Sequence, residues 1–272
     1  DDNASFYVSW GEGFKSGGFN NSGARQTIDT FINPLNPSSP INLMDSYDKE
    51  VNRSLEAGFK ALLADNRVSV DLSVYKTNAK NLQFFEFIVG PLGLLRIVEN
   101  VDESELSGGE IAVTAIINDN ISVYASAAAV DSEVLKNSVR TDSVGNNVPY
   151  HADYTFNSGL SLDYPMSNGM NFFAQLDYAV VGPTWFHLMQ TKNTRNTLFG
   201  VPMAYDKTDR ARYDTVNLRL GIERDNMTIV AFAKNLTDED YLAEVIPAPE
   251  FGGVFAHPGP QRRLGLEITY QF

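Results

Sequence analysis

The stretch Arg263-Leu-Gly-Leu-Glu-Ile-Thr-Tyr-Gln-Phe272 places Leu264, Leu266, Ile268, Tyr270 and Phe272 at every second position, with polar residues or glycine between them. A period of two is that of a β-strand, whose successive side chains point to opposite faces. Such a strand divides an apolar medium from a wet one, and the same period recurs upstream. Strands are expected at 3–12, 50–63, 67–86, 95–117, 121–133, 151–164, 169–185, 211–224, 227–237 and 261–272.

The connections sort into two kinds. Ala64-Asp65-Asn66, Asn118-Asp119-Asn120, Pro165-Met166-Ser167-Asn168 and Arg224-Asp225-Asn226 have the Asx, Gly or Pro chemistry of tight turns. Between them lie the long segments 13–49, 87–94, 134–150, 186–210 and 238–260. Short and long connections alternate, as in an up-and-down antiparallel barrel with tight turns at one rim and long loops at the other. Outer-membrane barrels have this asymmetry.

Charge placement supports a membrane wall. The apolar faces 4–10 even, 55–61 odd, 68–74 even, 121–129 odd, 154–164 even, 172–180 even, 216–222 even and 264–272 even carry no Asp, Glu, Lys or Arg, in a chain that is 20% charged. Glu56, Lys60, Asp71, Asp163, Asp177, Arg219, Glu223, Arg263 and Glu267 fall on the opposite faces. The fourth strand alternates more weakly, and 227–237 is ambiguous. A soluble β-sandwich also alternates, but its polar face usually carries much Lys and Glu. Here that face is mostly Ser, Asn, Thr, Gly, Gln and Tyr, which suits a crowded, wet lumen. Trp10, Phe14, Tyr47, Tyr164, Trp185, Tyr213 and Tyr270 lie near strand ends, where interfacial aromatics belong.

Composition removes several classes. The most apolar run, Phe84 to Leu95, is broken by Glu86, Gly90 and Pro91, so no helix reaches the roughly 18–20 apolar residues of a membrane span. The absence of cysteine rules out a disulfide scaffold and a Cys-ligated zinc site. A formal charge of −13 argues against nucleic acid as a partner. Asp1-Asp2-Asn3-Ala4 lacks the pattern of a signal peptide, so a mature product or an excised piece is expected.

The closing strand resembles that of bacterial outer-membrane proteins. Three further stretches, Tyr7-Val-Ser-Trp-Gly-Glu-Gly-Phe-Lys-Ser-Gly-Gly-Phe-Asn20, Leu55-Glu-Ala-Gly-Phe-Lys60 and Ala233-Lys-Asn-Leu-Thr-Asp-Glu-Asp-Tyr241, resemble the C-terminal barrel region of TonB-dependent receptors in order and separation. The resemblance implies that residues 1–272 are the C-terminal portion, about ten strands, of a transmembrane antiparallel barrel of 22. The plug domain and TonB box would lie upstream. The implied function is TonB-energised import of a ferric siderophore or similar scarce nutrient across the bacterial outer membrane. Implied partners are the TonB complex, outer-membrane lipid, the ferric chelate and the barrel-assembly machinery, which would read Tyr270 and Phe272. Ten strands could also close a small barrel. A passive porin-like channel and a soluble carbohydrate-binding β-sandwich are the competing functions.

Enzyme chemistry is not expected. His151, His187 and His257 are far apart, no His-x-x-x-His or Gly-x-Ser-x-Gly pattern occurs, and the carboxylates look like a solvated lumen. No catalytic residue, cofactor or resident metal is assigned. Glycines at 11, 13, 17 and 18 would ease the first strand into its loop, and Asn235-Leu-Thr-Asp238 would end the ninth strand through side-chain-to-backbone bonds. The ligand-contact candidates are the loop residues Trp185, His187, Tyr205, Arg210, Phe251 and His257, because aromatic and cationic groups suit planar or anionic chelates.

Overall fold

The computed structural model describes residues 3–91, 93–191, 194–197, 200, 202–248 and 253–272. One ten-stranded antiparallel sheet dominates. Its strands, in chain and spatial order, are β1 (Ala4–Lys15), β2 (Glu50–Leu63), β3 (Val68–Gly90), β4 (Gly93–Asn118) and β5 (Ile121–Lys136). They continue as β6 (Tyr154–Pro165), β7 (Asn171–Val181), β8 (Tyr213–Arg224), β9 (Met227–Lys234) and β10 (Arg263–Tyr270). Each strand pairs with its sequence neighbour, so the sheet is an up-and-down partial barrel with β1 and β10 at its edges.

The pairing register carries every apolar face expected from sequence to the same side of the wall. One row runs Phe6, Phe59, Leu72, Ile111, Ala127, Phe156 and Val180 across β1 to β7. A second runs Val68, Ala115, Val123, Leu160, Leu176, Leu218, Ala233 and Leu264 across β3 to β10. These rows also settle the ambiguous ninth strand: Met227, Ile229, Ala231 and Ala233 share the apolar face. Phe6 and Leu264 are 81% and 71% exposed, as side chains facing lipid would be. Charge returns to this face only towards the rims: Arg224 opposite Met227 at the tight turn, and at the long-loop rim Arg53, paired with Glu12, and Lys76, paired with Glu105, each at 2.7 Å. The other face is polar. Lys60 meets Asp71 at 2.8 Å, Tyr124 Oη donates to Asp177 Oδ1 at 2.9 Å, and Arg219 meets Glu267 at 3.0 Å.

On the polar face an aromatic ring lies over the glycine paired with it on the following strand. Tyr7 covers Gly58, Tyr75 covers Gly108, Tyr124 covers Gly159, Phe173 covers Gly221 and Phe232 covers Gly265. A Cβ at Gly58 or Gly159 would stand 2.3 Å from the ring, so a larger residue there would push the ring aside. Every pair of strands joined across the long-loop rim, β1/β2 through β9/β10, contains one such joint.

Several sequence expectations are adjusted by the structure. Segment 87–94 is not a long loop: β3 and β4 continue as one ladder to Gly90 opposite Gly93, giving strands of 23 and 26 residues. Those lengths exceed the roughly 9–11 residues that cross a bilayer, so the hairpin projects beyond the wall. Asn81, at φ 54°, marks the departure; below it the even-numbered Leu72 and Val74 are exposed, whereas above it Phe84, Glu86 and Ile88 are buried. The seventh strand stops at Val181, and Thr184–Trp185 forms a separate short strand. The ninth ends at Lys234, as Asn235-Leu-Thr-Asp238 dictates: Asn235 and Asp238 are left-handed at φ 49° and 58°, and Asn235 Oδ1 accepts the Glu239 N–H at 2.9 Å. Trp10, Phe14, Tyr164 and Tyr270 stand exposed near strand ends on the apolar face. Tyr47, Trp185 and Tyr213 instead serve the loops; Tyr213 stacks on Tyr241 with centroids 4.0 Å apart.

A substitution pair tests the assignment of faces. Leu218→Arg on the apolar face is expected to lower folding stability in bilayers by about 2–4 kcal/mol, and Gln175→Arg on the polar face by distinctly less. Equilibrium unfolding from vesicles measures both, and equal losses would contradict a lipid-facing Leu218.

Candidate functional site

The clusters of buried hydrophobic side chains lie at the long-loop rim. Ala24, Ile28, Ile32, Ile41 and Leu43 of the first long loop pack on Ile88 and Ile97 of the projecting hairpin. Phe84 and Val101 of that hairpin pack with Val134, Val148 and Leu188. The loops therefore form a folded cap with small cores of their own.

Asparagine amides tie this cap together. A side-chain amide presents the same donor and acceptor as a peptide group, so it can complete a backbone ladder between segments that are not strands. Asn20 donates to Val98 O at 2.9 Å and accepts from Val98 N at 2.7 Å. Asn36 does the same to Asn196, at 3.0 and 2.9 Å. Asn146 reaches Leu188 O at 2.7 Å.

Beneath the cap sits a buried charge cluster. Arg140, 1% exposed, donates through Nη2 to Glu86 and through Nε to Glu99 Oε2 at 3.1 Å. The second Glu86 oxygen meets His187 Nε2 at 2.9 Å. The Met189 N–H donates to His187 Nδ1 at 3.0 Å, which makes Nδ1 the acceptor and places the imidazole proton on Nε2, facing Glu86. One guanidinium thus joins the hairpin to the loop 137–153, and one imidazole joins the hairpin to the loop 182–212.

Glu86 and His187 of this cluster line a small recess of about 30 Å³, room for little more than a water molecule or two. Phe85 and Phe87 of the hairpin, Phe186, His187 and Tyr205 of the loop 182–212, and Tyr150 line it, and Glu244, Ile246 and Pro247 stand on its remaining side. His187 stacks on Tyr205 with centroids 4.8 Å apart and meets Phe84 edge-on at 5.4 Å. Tyr150 Oη donates to Glu244 Oε1 at 3.3 Å. Burial, then the nearby Glu244 charge and this bond, push the Tyr150 phenol up to about 12. Burial alone draws His151 below the usual imidazole value.

The structure brings two of the sequence candidates together as walls of the recess, His187 at 2% and Tyr205 at 4% exposure. Arg210 lies behind it, over the Phe186 ring at 5.4 Å and the Tyr213 ring at 4.9 Å. Its Nη1 donates to Leu242 O and Ala243 O at 3.3 Å, and its Nη2 to Thr184 Oγ1 at 2.8 Å. Trp185 pairs with Asp209 and accepts the Tyr150 N–H at its carbonyl. His257 is exposed on the hairpin Leu242–Ala248/Gly253–Pro258, opposite Glu244. Phe251 lies outside the described residues. Sequence reasoning missed Glu86, Glu99 and Arg140, and the available signal was a carboxylate inside an otherwise apolar β-run. Among the described residues no group of three His, Cys, Asp or Glu side chains is arranged to hold a metal.

A family profile described as TonB dependent receptor-like, beta-barrel, matches residues 1–236. The chain belongs to that family. Solved structures agree on the fold across the whole chain. The ferric yersiniabactin uptake receptor FyuA from Yersinia pestis is similar with a TM-score of 0.74 at 18% identity, covering 100% of this chain and 35% of its own. The siderophore receptor PiuA from Acinetobacter baumannii gives 0.64 at 16%, covering 99% and 34%. The pyoverdine outer membrane receptor FpvA from Pseudomonas aeruginosa PAO1 gives 0.60 at 12%, covering 100% and 34%. This TonB-dependent receptor-like chain therefore spans about a third of the length of the structures it matches.

Two outcomes follow from the cap. Arg140→Ala leaves Glu86 and Glu99 buried without their guanidinium, and breaking a buried pair costs about 3–5 kcal/mol. Hydrogen exchange should therefore rise by orders of magnitude in 137–153 and 182–191, with the wall strands unchanged. Separately, the folded state holds Tyr150 protonated up to about pH 12 against an ordinary 10.0, so its contribution is intact below pH 10 and is lost as pH rises towards 12. Phenolate absorbance followed against loop exchange should show the coupled change, and Tyr150→Phe should remove it.

Proposed function

We propose that this chain is the C-terminal part of the barrel domain of a bacterial outer-membrane receptor. In this reading the barrel has 22 strands, counted with those outside the chain, and imports a ferric siderophore or similar scarce nutrient with energy from TonB. The observation that carries the proposal is the combination of a charge-free outer face through the wall with a folded cap of loops at one rim. A passive pore needs the first but has no use for an aromatic recess built into the second. The plug domain and TonB box lie outside this chain, and contact with the TonB complex is made there. Outer-membrane lipid faces the apolar rows, and Tyr270 with Phe272 forms the signal read by the barrel-assembly machinery. Ligand contact falls to the loops, through His187 and Tyr205 in the recess and through Trp185, Arg210, Phe251 and His257.

The test uses the full-length parent protein. It should fractionate with the outer membrane, shift in electrophoretic mobility on boiling in detergent, and support growth on a ferric chelate only in cells with a working TonB. Growth support independent of TonB would favour the porin-like channel. A soluble protein with no shift would favour the carbohydrate-binding sandwich.

A further inference from the structure

We propose that His187 is a pH-sensitive latch of the loop cap: neutral, it locks the loop 182–212 to the projecting hairpin, and a second proton on its ring opens that junction. The inference concerns the cap alone and does not depend on what the barrel transports. Both ring nitrogens are committed. Nε2 donates to Glu86 Oε2 at 2.9 Å, and Nδ1 accepts the Met189 N–H at 3.0 Å. An imidazolium carries a proton on each nitrogen and accepts on neither. A second proton therefore sets Nδ1–H against the Met189 N–H, at a residue 2% exposed, and the ring or the peptide must move.

The groups facing the ring decide the response. Glu86 comes from the hairpin and shares its other oxygen with Arg140 of the loop 137–153, and Glu99 on β4 holds the same guanidinium. Glu244 and Tyr150 line the recess with His187, Tyr205 stacks on the ring, and Phe84 meets its edge. The carboxylates attract a proton, but Glu86 touches Nε2, where the ring already donates; the added proton falls on Nδ1, which faces a peptide donor. Carboxylates ordinarily take up protons near about pH 4 and phenols lose theirs near about 10, so from about pH 7 to 5 the imidazole is the titrating group of this cluster. The latch holds the segment 187–190. Leu188 O accepts from Asn146 Nδ2 at 2.7 Å, and Gln190 accepts the Asn147 N–H at 3.1 Å while donating to its carbonyl at 2.8 Å. Leu188 also fills the cluster of Phe84, Val101, Val134 and Val148. Displacing the 187–189 turn therefore loosens two loops and the hairpin together. In the open loop the imidazole takes its second proton at its ordinary value of about 6.5, and the closed junction has no place for it. The junction is accordingly intact above about pH 7 and weakens as pH falls through about 6.5.

The experiment measures amide hydrogen exchange in the full-length parent protein in detergent, by mass spectrometry, with the intrinsic pH dependence of exchange divided out. Between about pH 7.5 and about pH 5, peptides covering 137–153 and 182–191 should lose about thirtyfold in protection, and those from β6 and β7 none. His187→Gln, an amide of fixed charge, should abolish the pH dependence, and His151→Gln, the histidine of the adjoining loop, should keep it. Protection that is unchanged or higher in acid, or a loss that persists in His187→Gln, overturns the proposal. A second measurement needs no variant: exchange of the imidazole C2 proton reports the ionisation of His187 in the wild type. The ring should ionise only as 182–191 loses protection, and an ionised ring under a protected cap overturns the proposal even if His187→Gln opens the cap at every pH.

Discussion

In a bilayer every peptide N–H and C=O must find a partner within the protein, because hydrocarbon offers none. The rest of this structure follows from that constraint. It selects a sheet whose strands pair with their sequence neighbours, and it confines irregular backbone to the two rims. It also gives meaning to β1 and β10, the edges of the sheet. In hydrocarbon each needs a partner strand, which the proposed longer barrel supplies.

A wall built this way has almost no interior, since one face meets lipid and the other the lumen. Packing in the ordinary globular sense is left to the cap. There the physics changes: small hydrophobic clusters, a guanidinium between two carboxylates, and side-chain amides standing in for peptide groups hold segments that are far apart in sequence. His187 and Glu86 are 101 positions apart, yet they share a hydrogen bond under the cap. Wall and cap are thus stabilised by different interactions. Damage to one need not propagate to the other.

This division explains what could be read beforehand. Wall strands have a local signature, a period of two, and the pairing register adds only which faces coincide. Strand β2 occupies the span expected from its alternation, and the turn at Ala64-Asp65-Asn66 is where its Asx chemistry places it. The cap has no local signature. In sequence Glu86 looks like a mere break in an apolar run, because its partners, Arg140 and His187, arrive from other loops. The asparagines that bridge loops look in sequence like any turn residue, and Tyr150 and Glu244 gain their roles only when hairpin and loop meet. Only His187 and Tyr205, chosen as aromatic loop residues, turn out to share a wall of the recess.

The ring-over-glycine joints have a consequence for how such a protein can change over evolutionary time. Each joint fixes, within the wall, the alignment of the two strands that a long loop connects, as Tyr124 over Gly159 does for β5 and β6. Alignment therefore does not depend on the length or composition of the loop. Insertions and deletions between β5 and β6 can be absorbed without sliding one strand past the other, a slip that would turn apolar side chains into the lumen. The wall can stay constant while the loops at the long-loop rim vary.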